Sequence, residues 1–231
     1  LIHLNNNLTK ALDNELLAKF ISTAKIRYGV IKIGVVGENA DVFRNVIEKY
    51  NDSRGNSYEK IDIYNLEFEF WNTETFTKNK YYCQSYLQPN RLPCNNEGAF
   101  SYALKTLIEM KKLAIQNRHP ISVETYIGWT LPNQANALSK TIDKVRIHGY
   151  VNDNTYLIPY VENRLKQFLK EDTNVEISII LSGESKFMKE WFSSNSLDKT
   201  EKLFFKNLSI KNPSRKRVTG FTYFNYSELT K

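Results

Sequence analysis

Asp62, Asn65, Glu67 and Glu69 fall within one short stretch, KIDIYNLEFEFW (60–71), where apolar and polar residues alternate. Such alternation marks a strand with two unlike faces. Leu66, Phe68 and Phe70 make one face, and Asn65, Glu67, Glu69 and Trp71 make the other. Two carboxylates two positions apart on one face interact. Neither ionises freely beside the other, so one is expected to keep its proton to higher pH. A carboxylic acid still protonated near neutral pH can protonate a leaving glycosidic oxygen. The rival reading places Glu67 and Glu69 in a structural ion network with a basic residue of a neighbouring strand, such as Arg146.

The elements that must position these residues alternate along the chain. GVIKIGVVG (29–37) reads as a strand, and ENADVFRNVIEKY as a helix capped near Asn39 or Asp41. A polar, aromatic loop with Tyr81, Tyr82 and Tyr86 follows the motif strand, and then a helix over 97–117. ISVETYIGW (121–129), KVRIHGYV (144–151), VEISIILSG (175–183) and VTGFTYFNY (218–226) read as strands with helices between them. At the front, 8–25 is an amphipathic helix and LIHL the end of a strand.

Strands separated by helices along a whole chain imply parallel β/α units. An open doubly wound sheet is the competitor, but GVVGEN is a poor match to its glycine-rich turn. Counting LIHL there are seven strands. One more upstream of Leu1 gives the number that closes a (β/α)8 TIM-type barrel, so an α/β barrel in a single domain, 1–231, is expected. In a barrel the motif acids point inward at the C-terminal end of their strand, where active sites of this fold lie.

The spacing Asp62-x-x-Asn65-x-Glu67-x-Glu69 resembles the D-x-x-D-x-D-x-E signature on the fourth barrel strand of glycoside hydrolase family 18, the chitinases and endo-β-N-acetylglucosaminidases. IGVVG (33–37) sits where that family carries an S-x-G-G strand end, and RIHGY (146–150) where it carries M-x-Y-[DN]. The resemblance implies Glu69 as general acid, and Glu67 as the carboxylate that orients the substrate's own nucleophilic 2-acetamido group. It implies Tyr150 as that group's hydrogen-bond partner, and Asp62 as the outer aspartate. The chain departs from the pattern in two motif positions. Asn65 replaces an aspartate, and Glu67 is one methylene longer than the residue it replaces. Substrate contacts are further expected from Asp62, Asn65, Trp71, Trp129 and Tyr223, with Phe224 or Tyr226 as other candidates for a sugar floor. No cofactor or metal is expected.

The rest of the chain bounds this reading. Thirty-two basic against 25 acidic residues give a net charge of +7, spread along the chain except for KNPSRKR (211–217). That cluster reads as a solvated loop, because a nucleic-acid groove wants basic residues interleaved with aromatics on an ordered surface. No nucleic-acid partner is expected. No apolar run approaches the length of a bilayer span, so no membrane insertion is expected either. Cys83 and Cys94 bracket a polar loop and are either a disulfide or two free thiols. The expected partner is a glycan and the expected place secreted or at the cell surface. The alternatives are a carbohydrate-binding protein without chemistry on the same barrel, and an interaction domain with Trp71 and Trp129 closing the strand ends.

Overall fold

The ladder between the motif strand and its neighbour stops at the pair Gly37 and Leu66. In the computed structural model, which describes residues 1–3, 11–170, 173–210 and 214–224, strands and helices alternate throughout. Leu4, 211–213 and Tyr226, read above as parts of a strand end, the basic cluster and the last strand, lie outside the described residues. The order is β1 (Ile2–His3), α1 (Ala11–Tyr28), β2 (Gly34–Gly37), α2 (Ala40–Val42), α3 (Glu48–Ser53), β3 (Ile63–Leu66), α4 (Thr73–Phe76), α5 (Asn96–Gln116) and β4 (Ser122–Ile127). It continues α6 (Pro132–Ser139), β5 (Lys144–His148), α7 (Leu157–Lys170), β6 (Glu176–Ser182), α8 (Lys189–Ser194), α9 (Leu197–Asn207) and β7 (Val218–Phe224). The fold is α/β with parallel strands. The chain divides into two compact units, 1–125 and 126–231.

In the first unit β1 to β4 run parallel in sequence order. Tyr64 on β3 faces the helices: its ring packs 5.0 Å from Phe43, and its hydroxyl donates to Glu48 at 2.6 Å. Asn65, next along, therefore faces the other way. Asn39 caps α2, its side chain accepting the Val42 N–H at 3.1 Å. Helix α1 stops because Gly29 takes φ +67°, letting the Val30 N–H reach back to the Ala24 carbonyl at 3.1 Å. That terminus displaces the start of β2 from the expected Gly29 to Gly34 and leaves Val30 and Ile31 exposed.

The motif strand is also shorter than 60–71. Its last ladder bond is the Glu67 N–H to the Gly37 carbonyl, 2.9 Å. β2 offers no backbone beyond that level, and the chain turns, with Phe70 N–H on Phe68 carbonyl at 2.9 Å and Asn72 N–H on Glu69 carbonyl at 3.0 Å. Phe68 and Phe70 remain buried, so the alternation that reads as strand persists as packing after the ladder has ended.

At the other end of β3, Asp62 is buried and takes donors from three elements. Lys25 Nζ of α1 lies 2.7 Å from Oδ2, the Ile33 N–H donates to Oδ2 at 2.8 Å, and His119 Nε2 lies 2.8 Å from Oδ1. Lys25 also donates to the Lys60 carbonyl at 2.7 Å.

In the second unit β5, β6 and β7 are parallel in sequence order, with a register irregularity at Ile177/Ser178. Helix α7 carries a buried stripe of Leu157, Val161, Leu165 and Phe168, which matches the fully buried Val145, Ile147, Ile177, Ile179 and Leu181 of the strands. Arg146 lies on the opposite face and donates to the Thr222 hydroxyl. The described part of the basic cluster is a 3-10 turn, Ser214–Arg217, rather than a solvated loop. Arg217 donates to the Phe168 carbonyl at 2.7 Å and the Val175 carbonyl at 3.2 Å, and Arg215 donates to the Phe205 carbonyl at 2.5 Å. Carbonyls in the last turn of a helix lack intrahelical donors, and these two guanidinium groups supply them at α7 and α9.

Replacing Asp62 by Ala strands a buried ammonium and an imidazole, and should cost about 3–5 kcal/mol in urea unfolding. Asp198→Ala, which breaks the exposed Lys202–Asp198 pair of 2.7 Å, should cost under about 0.5 kcal/mol in the same assay.

Candidate functional site

Because β2 and β3 end level with each other, the residues just beyond them emerge side by side in the first unit. Glu38 follows β2, and Glu67 and Glu69 follow β3, all at C-terminal strand ends. By register Val36 lies beside Asn65, and Asn65 lies beside Glu124 of β4. Asn65 is fully buried, and neither atom of its amide has a hydrogen-bond partner among the described residues. An unpaired buried amide costs on the order of 1–3 kcal/mol. Two residues further on the same face, Glu67 is half-buried. Glu69 is half-buried too, and its Oε2 accepts from the Asn72 amide at 2.8 Å. Asn72 is fixed in turn by capping α4, its Oδ1 accepting the Glu74 N–H at 3.1 Å.

The loop between β3 and α5 covers this region and is stapled by a disulfide between Cys83 and Cys94, whose Cα atoms are 5.2 Å apart. Asn95 caps α5 directly after the staple. Gly98 is required there, since a Cβ would sit 1.9 Å from the Pro93 carbonyl oxygen. Tyr82 stacks on Phe68 with ring centres 4.2 Å apart and is buried, so it serves packing. Burial holds its phenol well above the ordinary tyrosine range; a hydrogen bond with the Glu69 backbone opposes this, and the nearby Glu38, Glu69 and Glu67 carboxylates add to it. Tyr81 and Tyr86 both donate to Glu38 Oε2, at 2.9 Å and 2.5 Å. Tyr86 belongs to a π-helical turn, Cys83–Leu87, a distortion frequent at functional sites.

Trp71 packs edge-on to Phe70 at 5.1 Å. Asp62, expected at the substrate, lies at the N-terminal end of β3 with its carboxylate bound by Lys25, His119 and Ile33.

The second unit holds the remaining expected residues. Tyr150 lies two residues past β5, stacked on His148 at 4.3 Å and tilted against Phe187 at 4.8 Å. Trp129 is exposed, and the Arg164 guanidinium lies 4.6 Å over its ring. Tyr223 points to the helix layer, donating to Glu201 at 2.5 Å, so that Thr222 and Phe224 alternate onto the other face. Arg164 is buried and donates to the carbonyls of Gly128, His148 and Tyr160, tying together the chain just after β4 and the end of β5. Burial, together with the Arg164 charge, pushes the His148 imidazole down to about 3, so it is neutral in the folded protein.

Glu38, Glu124 and Arg164 are absent from the sequence reading. Glu124 carried the signal that marked Glu67, a carboxylate at an alternate position of an apolar strand. Glu38 carried none, because its importance comes from phenols more than 40 residues away. Among the described residues no group of three or more His, Cys, Asp and Glu side chains is placed to hold a metal ion, and no helix is long and apolar enough to cross a membrane. Compared with models of known protein families the chain gives no match, and curated proteins give none either.

Asn65→Leu removes an unpaired buried amide while keeping its heavy-atom branching, and should raise stability by about 1–2 kcal/mol in chemical denaturation. His148 carries fewer protons folded than unfolded between its ordinary value of 6.5 and about 3, so stability falls as pH drops through that window. His148→Phe should flatten the dependence of the thermal midpoint on pH there, and an unchanged slope would refute the assignment.

Proposed function

We propose that the protein is a glycoside hydrolase that cleaves N-acetylglucosamine-containing glycans with retention, on a (β/α)8-type barrel. The observation that carries this is the line Asn65, Glu67, Glu69 at the C-terminal end of a parallel strand, with a buried, unpaired amide beneath two carboxylates. Polar groups are kept in such a place, at a cost in stability, when a ligand or reacting group needs them.

In this reading Glu69 donates its proton to the glycosidic oxygen as the carbonyl oxygen of the substrate's acetamido group attacks the anomeric carbon. The leaving sugar departs with that proton. Glu67 accepts the acetamido N–H and steadies the positive charge of the cyclic intermediate. Water then attacks the anomeric carbon, and Glu69 takes its proton, so the configuration is retained. Asn72, holding one oxygen of Glu69 at 2.8 Å, leaves the other to meet the glycosidic oxygen. Trp71 is the aromatic surface against which a sugar would stack. The Cys83–Cys94 disulfide supports secretion or display at the cell surface, since such bonds persist in oxidising compartments.

A second reading, glycan binding without hydrolysis, is favoured by the amide at 65 and the longer side chain at 67, because a misplacement well under an ångström at the acetamido group can disable the chemistry.

The test is hydrolysis of chitooligosaccharides and high-mannose N-glycopeptides by the wild type and by Glu69→Gln. The mutant should lose about 10²-fold or more in kcat/KM. Binding without cleavage by both proteins selects the second reading, and neither binding nor cleavage refutes both.

A further inference from the structure

Glu38 is built into the same region by a different route from the motif acids. Its Oε2 is saturated by two phenols whose oxygens are 3.0 Å apart, while Oε1 has no partner among the described residues. The two phenols come from a loop fixed by a disulfide and by the buried Tyr82, so the carboxylate is held in one orientation before any ligand arrives. Glu38 is half-buried, and Tyr81 beside it is exposed, so the free oxygen borders solvent. Neither Glu38 nor Glu69 has a Lys or Arg partner among the described residues, although the chain carries a net charge of +7. The fully buried, unpaired Asn65 amide lies on the face of the sheet from which Glu67 projects, so the place has polar capacity that the protein itself leaves unmet.

An oriented carboxylate with one open oxygen and no cation of its own accepts best from a cationic donor. We propose that Glu38, positioned by Tyr81 and Tyr86, is a specificity-determining residue that binds the free ammonium of a glucosamine unit, so that the site prefers partly N-deacetylated chains over fully acetylated ones. This rests on the glycan reading of the motif acids. The ammonium belongs to a sugar neighbouring the one cleaved, because the cleaved sugar must keep its acetamido group.

The experiment is calorimetric titration with two hexasaccharides, one fully acetylated and one composed only of glucosamine. The latter lacks the acetamido nucleophile and so is not turned over. The wild type should bind the glucosamine hexamer at least about tenfold more tightly than Glu38→Gln does, and the advantage should shrink as salt is raised. Acetylated-hexamer affinity, titrated in a Glu69→Gln background that blocks turnover, should change less than about twofold on adding Glu38→Gln, since a neutral hydroxyl is held nearly as well by an amide oxygen. The double variant Tyr81→Phe/Tyr86→Phe keeps the charge but frees its orientation, and should fall between the two; circular dichroism establishes that each variant is folded. Equal affinity of wild type and Glu38→Gln for the glucosamine hexamer overturns the assignment while leaving the hydrolase reading intact. If the wild type binds only the acetylated hexamer, the assignment is likewise overturned and the hydrolase reading stands. If it binds neither, both fall.

Discussion

Asp62 sits where the first helix, the approach to β2 and the segment before β4 converge, and its two oxygens receive an ammonium, a backbone N–H and an imidazole nitrogen. A buried carboxylate is costly unless its lone pairs are met, and here they are met by groups far apart in sequence. The pairing therefore fixes the N-terminal level of β2 and β3 together. With that level fixed and both strands four residues long, their C-terminal ends also coincide. The juxtaposition of Glu38 with the motif acids is a consequence of this alignment.

One strand thus divides its polar residues by position. At its entrance the acid is matched by charge and serves cohesion. At its exit Glu69 is held by the Asn72 amide, and Glu38, beyond the end of β2, is held by two phenols, partners that orient without neutralising. The second unit shows a related economy. Arg164 puts its charge on three carbonyls and two aromatic faces, and beside it His148 stays neutral and stacks as an aromatic ring. Groups whose hydrogen bonds are met within the protein have little left to offer a ligand. Asn65 and Glu38, whose capacity is not fully met, are different.

Much of the architecture was legible because hydrophobic period survives in the sequence: the β/α alternation and the Asn39 cap are local signals. Strand ends were not, because they depend on where a neighbour's backbone stops. The alternation of 67–71 reads as strand, yet β2 ends at Gly37 and offers no backbone past that level. Asp62 illustrates a second limit. Its spacing from the acids fits a catalytic signature, while its partners Lys25 and His119 are 37 and 57 positions away and invisible to spacing. Tyr223 is a third case, where strand phase decides between the helix layer and the other face, and Glu201 on α9 draws its hydroxyl to the former. The cysteine pair could be read either way until the loop's path brought the two together.

The asparagine at position 65 can be weighed on energetic grounds. A carboxylate at this fully buried position, without a donor, would cost several kcal/mol or stay protonated, whereas an unpaired amide costs on the order of 1–3 kcal/mol. The amide also leaves no second carboxylate directly beneath Glu67 on its own strand, while Glu124 of β4 lies beside position 65. The extra methylene of a glutamate at 67 extends its carboxylate further past the end of the ladder. Under the proposed function, the difference between cleaving a glycan and merely binding one rests on how Glu67 is spaced from Glu69.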